Sequence, residues 1–111
     1  IVFKNEFRHY HASPDGLISD NAILELKNPM LKTQCRYLLD GSLPSDYFGQ
    51  CQMSLHTCDR ELLYFMSCYI GLPPFIVEVR RDEPYIAKMA KALEEFVAEL
   101  SQTVEKLRRL Q

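Results

Sequence analysis

Ser13-Pro14-Asp15-Gly16-Leu17, followed by Ala22-Ile23-Leu24-Glu25-Leu26-Lys27-Asn28-Pro29, is the stretch on which the fold turns. Ala22 to Asn28 is a short, mostly apolar run closed by Pro29, which predicts a buried strand. Side chains alternate across a strand, so Glu25 and Lys27 share one face and Leu24 and Leu26 the other. The expectation is that the polar pair faces a cleft while the leucines anchor the strand in the core. Asp15 lies ten residues before Glu25. Two carboxylates supply the oxygen ligands that a hard divalent cation prefers. A neighbouring lysine can hold or deprotonate an attacking water, a combination suited to cutting phosphodiesters.

Upstream of that stretch the chain reads as strands and turns. Val2 and Phe3 begin one extended segment and Phe7 to Ala12 carry another. Asp15-Gly16 and Ser19-Asp20-Asn21 are turn signals. Downstream, Leu31 to Leu39 predicts a helix stopped by Asp40-Gly41. A second helix starts at Ser45, with Asp46 suited to its positive end. Tyr47, Cys51, Leu55 and Cys58 form its apolar stripe, with Gln52 and His56 on the adjoining line. Leu62 to Ile70 predicts a central strand, broken by Gly71 to Pro74, and Phe75 to Val79 a further strand. Asp82 is a candidate N-cap, with Pro84 in the first turn of a long amphipathic helix. Its stripe is Ile86, Met89, Leu93, Phe96, Leu100, Val104 and Leu107. No internal repeat or linker interrupts the 111 residues, which fit one domain, 1–111.

The chain is 47% hydrophobic and 25% charged, a globular composition with enough apolar mass for a core. A net charge of −2 argues against a sequence-reading DNA module, whose footprint is basic. It argues less against a nuclease, because catalytic carboxylates lower the sum and a bound cation offsets them locally. No apolar run reaches membrane-spanning length and no signal peptide is evident. Cys35, Cys51, Cys58 and Cys68 form no C-x-x-C pair and read as reduced cytosolic thiols. The chain begins at Ile1 rather than methionine, as a piece of a longer protein would.

Four motifs, in order, carry a family resemblance: Ser13-Pro14-Asp15-Gly16-Leu17; Leu24-Glu25-Leu26-Lys27-Asn28-Pro29; Tyr47-Phe48-Gly49-Gln50-Cys51-Gln52; and Arg81-Asp82-Glu83-Pro84-Tyr85. Together they resemble the lambda-exonuclease-type, YqaJ-like viral recombinases of the PD-(D/E)XK nuclease superfamily, from about Asn5 to the C-terminal helix. The resemblance implies an α/β fold with a restriction-endonuclease-like core: a mixed central sheet flanked by helices, in the order strand-strand-strand-helix-strand, and a long C-terminal helix. It implies Asp15 and Glu25 as metal carboxylates, the Leu26 carbonyl as a further metal ligand and Lys27 as the catalytic lysine. Gln52 would orient the site from the following helix, with Gln50 the weaker candidate. The metal would be Mg²⁺, with Mn²⁺ able to substitute.

The activity so implied is 5′-to-3′ digestion of double-stranded DNA during recombination, in the cytoplasm of a bacterial host if the gene belongs to a phage or prophage. The implied partners are duplex DNA and a single-strand annealing protein, with trimers known among relatives and no membrane association. Two other readings stand beside it: an endonuclease of the same superfamily, and a non-catalytic DNA-binding or assembly module descended from a nuclease. Three departures from the family pattern are visible. Asn5, beside Glu6, stands where some relatives carry a third acidic residue. Asn28 replaces a usual cysteine. The helical region that precedes this point in relatives, and helps hold the DNA 5′ end, is missing, so the fragment alone is expected to be weak or inactive.

Lys32, Arg36, Arg80 and Arg81 are candidates for contacts to the DNA backbone, with a solvated surface as the plainer alternative. His9 and His11 share a strand face, but H-x-H without a third spaced ligand is usually structural. His56 and Cys58 complete no zinc spacing.

Overall fold

In the computed structural model, residues 2–3 and 11–111 are described. The expected strand from Phe7 and the positions Asn5, Glu6, His9 and Tyr10 lie outside them, apart from the strand's end at His11 and Ala12. Strands β1 (Val2–Phe3) and β2 (His11–Ala12) pair antiparallel in a small two-stranded sheet. The main sheet has four strands in the order β3 (Gly16–Ile18), β4 (Ala22–Lys27), β5 (Leu62–Ser67) and β6 (Phe75–Arg80). β4 and β5 run parallel and the outer pairings are antiparallel. Helices α1 (Leu31–Asp40) and α2 (Ser45–Cys58) make the crossover that a parallel pair requires. The chain forms two compact units, Ile1–Arg81 and Asp82–Gln111.

Three sequence expectations change. The sheet is built strand-strand-helix-helix-strand-strand, because 16–18, lying between two turn signals, is a strand and β1 and β2 pair in a separate sheet. Gly16 to Ile18 pairs with Ala22 to Leu24, and Ser19 at φ 53° turns the hairpin. β5 ends at Ser67 rather than Ile70. Its neighbour β4 stops at Lys27, and after one further bond from Cys68 N–H to the Lys27 carbonyl (3.0 Å) no partner strand remains among the described residues. The third change is the larger one: the leucines of β4 do not anchor the core. Ile23 and Glu25 are buried, whereas Leu26 is 40% exposed and Leu24 only half-buried.

Register explains the reversal. Parallel pairing sets Ile23, Glu25 and Lys27 level with Leu63, Phe65 and Ser67, and these with Val79, Val77 and Phe75. That face carries the core, where Ile23, Leu63, Phe65, Phe75 and Val79 cluster with Tyr37 of α1 and with Cys51 and Leu55 of α2. Glu25 is thus a carboxylate on the apolar face of the sheet, and the stripe foreseen on α2 is what covers it. Each fully buried aliphatic side chain contributes about 1.5–3 kcal/mol to holding the two layers together.

The caps follow local chemistry. Gly41 adopts φ 68° and its N–H donates to the Tyr37 carbonyl, closing α1. Asp59, also left-handed at φ 55°, closes α2. Buried polar groups tie the layers. Gln34 of α1, wholly buried, donates to the carbonyls of Ser67 (2.9 Å) and Pro73 (3.2 Å) and accepts from the Ser67 hydroxyl (2.6 Å). Arg60 donates to the carbonyls of Ser19 and Ala22, clamping the β3–β4 hairpin to the end of α2.

The second unit is the helix α3 (Glu83–Arg109). Asp82 caps it as expected, its side chain accepting from Tyr85 N–H at 3.1 Å, with Pro84 in the first turn. Lys106, Arg108 and Arg109 complement the negative end of its dipole, and Arg109 pairs with Glu105 at 2.8 Å. Phe96, Leu100 and Leu107 of its apolar stripe are exposed. Among the described residues no helix is long and apolar enough to cross a membrane.

Candidate active site

Asp15 stands immediately before β3, and because that strand begins at Gly16, level with Leu24, no strand among the described residues pairs with the neighbouring edge of β4 beyond Leu24. Asp15 fills this gap: its Oδ2 accepts from Leu26 N–H at 2.8 Å. In a strand the N–H and C=O of one residue point to the same edge, and successive residues alternate. The Lys27 carbonyl is taken on the β5 side by Cys68. The Leu26 carbonyl therefore projects to the same open edge as Asp15.

Glu25, next in sequence, is buried on the core face. Burial pushes its pKa above the ordinary 4.5, and the nearby charge of Asp15 raises it further, while Lys27 opposes the shift. The three groups thus share one electrostatic neighbourhood although Asp15 is exposed and Glu25 is not. Across the core face, burial and then the charge of Glu25 push the Cys51 thiol up to about 11, with Lys27 again opposing. Lys27 lies with its Nζ 4.9 Å from the centre of the Tyr47 ring.

The other candidates divide by position. Gln52 is wholly buried, and its Nε2 donates to the Arg80 carbonyl at 2.9 Å, tying α2 to the end of β6. Gln50 is exposed. Arg81 donates to the carbonyls of Leu55 (3.0 Å) and Arg60 (3.2 Å), work that closes the C-terminus of α2. Arg80 is level with Leu62 and Ala22, on the face opposite Glu25 and at the far end of the sheet from Lys27, with Glu78 at 3.7 Å. Lys32 and Arg36 are exposed one turn apart on α1. Arg36 lines a cavity of about 490 Å³ that extends to Ser45, Asp46 and Tyr47 at the start of α2.

Sequence reasoning placed Tyr47 and Cys51 in a core stripe and missed that the stripe borders the carboxylates. It missed the Gln34–Ser67 lock altogether. The α2 periodicity held the first signal; the second had none, since its partners are far apart in sequence.

Residues 1–61 match the model of the YqaJ-like viral recombinase domain. The chain belongs to this family. Two solved structures of LHK-Exo, an alkaline exonuclease from Laribacter hongkongensis, also match at 31% identity, with TM-scores of 0.79 for the complex with dAMP and 0.80 for the other. Each match covers 87% of this chain and 52% of the solved one, so the chain spans about half the length of those structures. No curated protein matches. The four-stranded mixed sheet, its flanking helices and the long C-terminal helix agree with the fold expected of the YqaJ-like family.

The donor set suits a hard divalent cation. Among the described residues no cluster of three or more His, Cys, Asp or Glu side chains exists, so a cation here would rely on Asp15, Glu25 and backbone oxygen. Two mutually repelling carboxylates beside an open carbonyl edge form an arrangement that such an ion relieves.

Proposed function

We propose that this chain is the catalytic part of a Mg²⁺-dependent deoxyribonuclease that hydrolyses DNA phosphodiesters, acting as a 5′-to-3′ exonuclease on duplex DNA in recombination. The observation that carries the reading is the convergence of Asp15, Glu25 and Lys27 at the open end of β4. The exonuclease character draws support from the likeness to LHK-Exo, one of whose structures holds dAMP, a product-like nucleotide for a nuclease acting on DNA.

Asp15, Glu25 and the Leu26 carbonyl would hold the cation. Bound there, Mg²⁺ supplies Lewis acidity toward a phosphoryl oxygen and acidifies a water. The chain's own residues do the rest. Leu26 N–H fixes the Asp15 carboxylate in one orientation, leaving its second oxygen for a ligand. The core face excludes water behind Glu25, which strengthens every charge interaction in front of it. Lys27 presents an ammonium that holds the attacking water or steadies charge growing on the phosphate. Lys32 and Arg36 on α1 are the basic residues proposed to meet the DNA backbone, and Gln52 is proposed to act through the seating of α2.

Calorimetry of the full-length protein with Mn²⁺ tests the site. Binding that Asp15→Asn and Glu25→Gln each weaken at least about tenfold is expected. Binding left intact by both substitutions contradicts the assignment. Incubation with linear duplex and with closed-circular plasmid separates the activities. An exonuclease degrades the first and leaves the second intact, and nicking of the circle instead establishes an endonuclease.

A further inference from the structure

Lys27 is the last residue of β4, and only its backbone is fixed there by the strand, through the bond from Cys68 N–H. Its side chain is a point charge on a flexible four-carbon stem, which by itself samples many rotamers. Tyr47 lies against the charged end of that stem. Its ring centre lies 4.9 Å from Nζ, within cation–π range. The ring is itself held. It packs on Phe65 at 5.2 Å with a 41° tilt, and Phe65 is 1% exposed. The buried Tyr37 neighbours Tyr47, and its own ring packs on Phe65 and Phe75. Phe65 is level with Glu25 on the adjacent strand. One aromatic stack therefore rests on the strand beside the carboxylate and carries the ammonium at its outer end.

We infer that Tyr47 is the positioning residue for Lys27: its ring face, braced by Phe65 and Tyr37, holds the ammonium in register with Glu25 and Asp15. The ring face is what Lys27 meets, so phenylalanine serves nearly as well as tyrosine. The catalytic part of this inference rests on the nuclease reading above; the placement of Lys27 does not.

The test uses the full-length protein with Tyr47→Phe, Tyr47→Leu and Tyr47→Met. The methionine variant fills the space with a flexible apolar chain and keeps the test alive if leucine disturbs folding. In NMR spectra the Lys27 ε-methylene protons should be shifted upfield by the ring in the wild type and in Tyr47→Phe, and should return to ordinary values in Tyr47→Leu or Tyr47→Met. Turnover should fall about tenfold in the aliphatic variants with KM for duplex DNA nearly unchanged, and stay within about threefold in Tyr47→Phe. In a Lys27→Ala background the aliphatic variants should cost nothing further, since a residue that acts through Lys27 has nothing left to position. Unshifted Lys27 protons in the wild type, or an equal loss of turnover with and without Lys27, overturns the inference. A protein that cleaves no DNA while the ring shift behaves as described defeats the nuclease reading and leaves the placement of Lys27 standing.

Discussion

The carboxylate of Asp15 accepts a 2.8 Å hydrogen bond from the backbone N–H of Leu26, the residue between Glu25 and Lys27. This bond joins the loop before β3 to the end of β4 at the point where their pairing has stopped. It sets one carboxylate beside a second, buried one, and makes the site a product of strand register rather than of any single motif.

Glu25 should make the cation-free protein less stable as pH rises. Its folded pKa lies above the ordinary value of 4.5, so between that value and the raised one the folded state binds more protons than the unfolded state. Stability falls through that window, and the full penalty is present above it. Glu25→Gln, which cannot ionise, should therefore raise Tm at pH 8 in EDTA. It should lose that advantage below pH about 4.5, where the unfolded glutamate is also protonated. Added Mn²⁺ should stabilise the wild type more than the variant at the same concentration. Scanning calorimetry at several pH values checks all three outcomes.

Cys51 should be the unreactive thiol. Burial and the charge of Glu25 hold its pKa at about 11, so at pH 8 roughly one molecule in a thousand carries the thiolate. Iodoacetamide at pH 8, followed by peptide mass mapping, should label Cys35 and Cys68 well before Cys51. Equal labelling in the folded protein would contradict the packing of α2 against the carboxylates.

Gln34→Leu should destabilise the fold by about 2–4 kcal/mol, because it strands the buried Ser67 hydroxyl and two carbonyls that Gln34 satisfies. Ser67 is level with Lys27, so the same change should loosen the end of β4. Urea titration gives the first quantity. Hydrogen exchange at Cys68 N–H, which bonds the Lys27 carbonyl, gives the second.

Much of the architecture was legible because its causes are local. The start of α3 follows from Asp82 and Pro84, and the end of α1 from a glycine at positive φ. The shared face of Glu25 and Lys27 follows from alternation alone. Which face is the core does not follow, since it depends on β4 lying parallel to a strand about forty residues away and under α2. The brevity of β3 hid it among turn residues. Arg81 looked like a surface cation, yet its guanidinium donates to the Leu55 carbonyl in the last turn of α2 and to the Arg60 carbonyl just beyond it. Gln52, proposed from the family motif, proved buried, with its amide directed to the Arg80 carbonyl. Such hydrogen bonds across 26 to 33 residues leave no periodic trace.

The proposed metal-assisted phosphodiester hydrolysis at Asp15, Glu25 and Lys27 can be read from the release of label from end-labelled duplex DNA by the full-length protein, with and without Mg²⁺, for wild type and Lys27→Ala. Mg²⁺-dependent release by the wild type is the expected result, with a loss of at least about a hundredfold in Lys27→Ala and the variant still folded. An unchanged rate in Lys27→Ala, or cleavage indifferent to Mg²⁺ and EDTA, would contradict it.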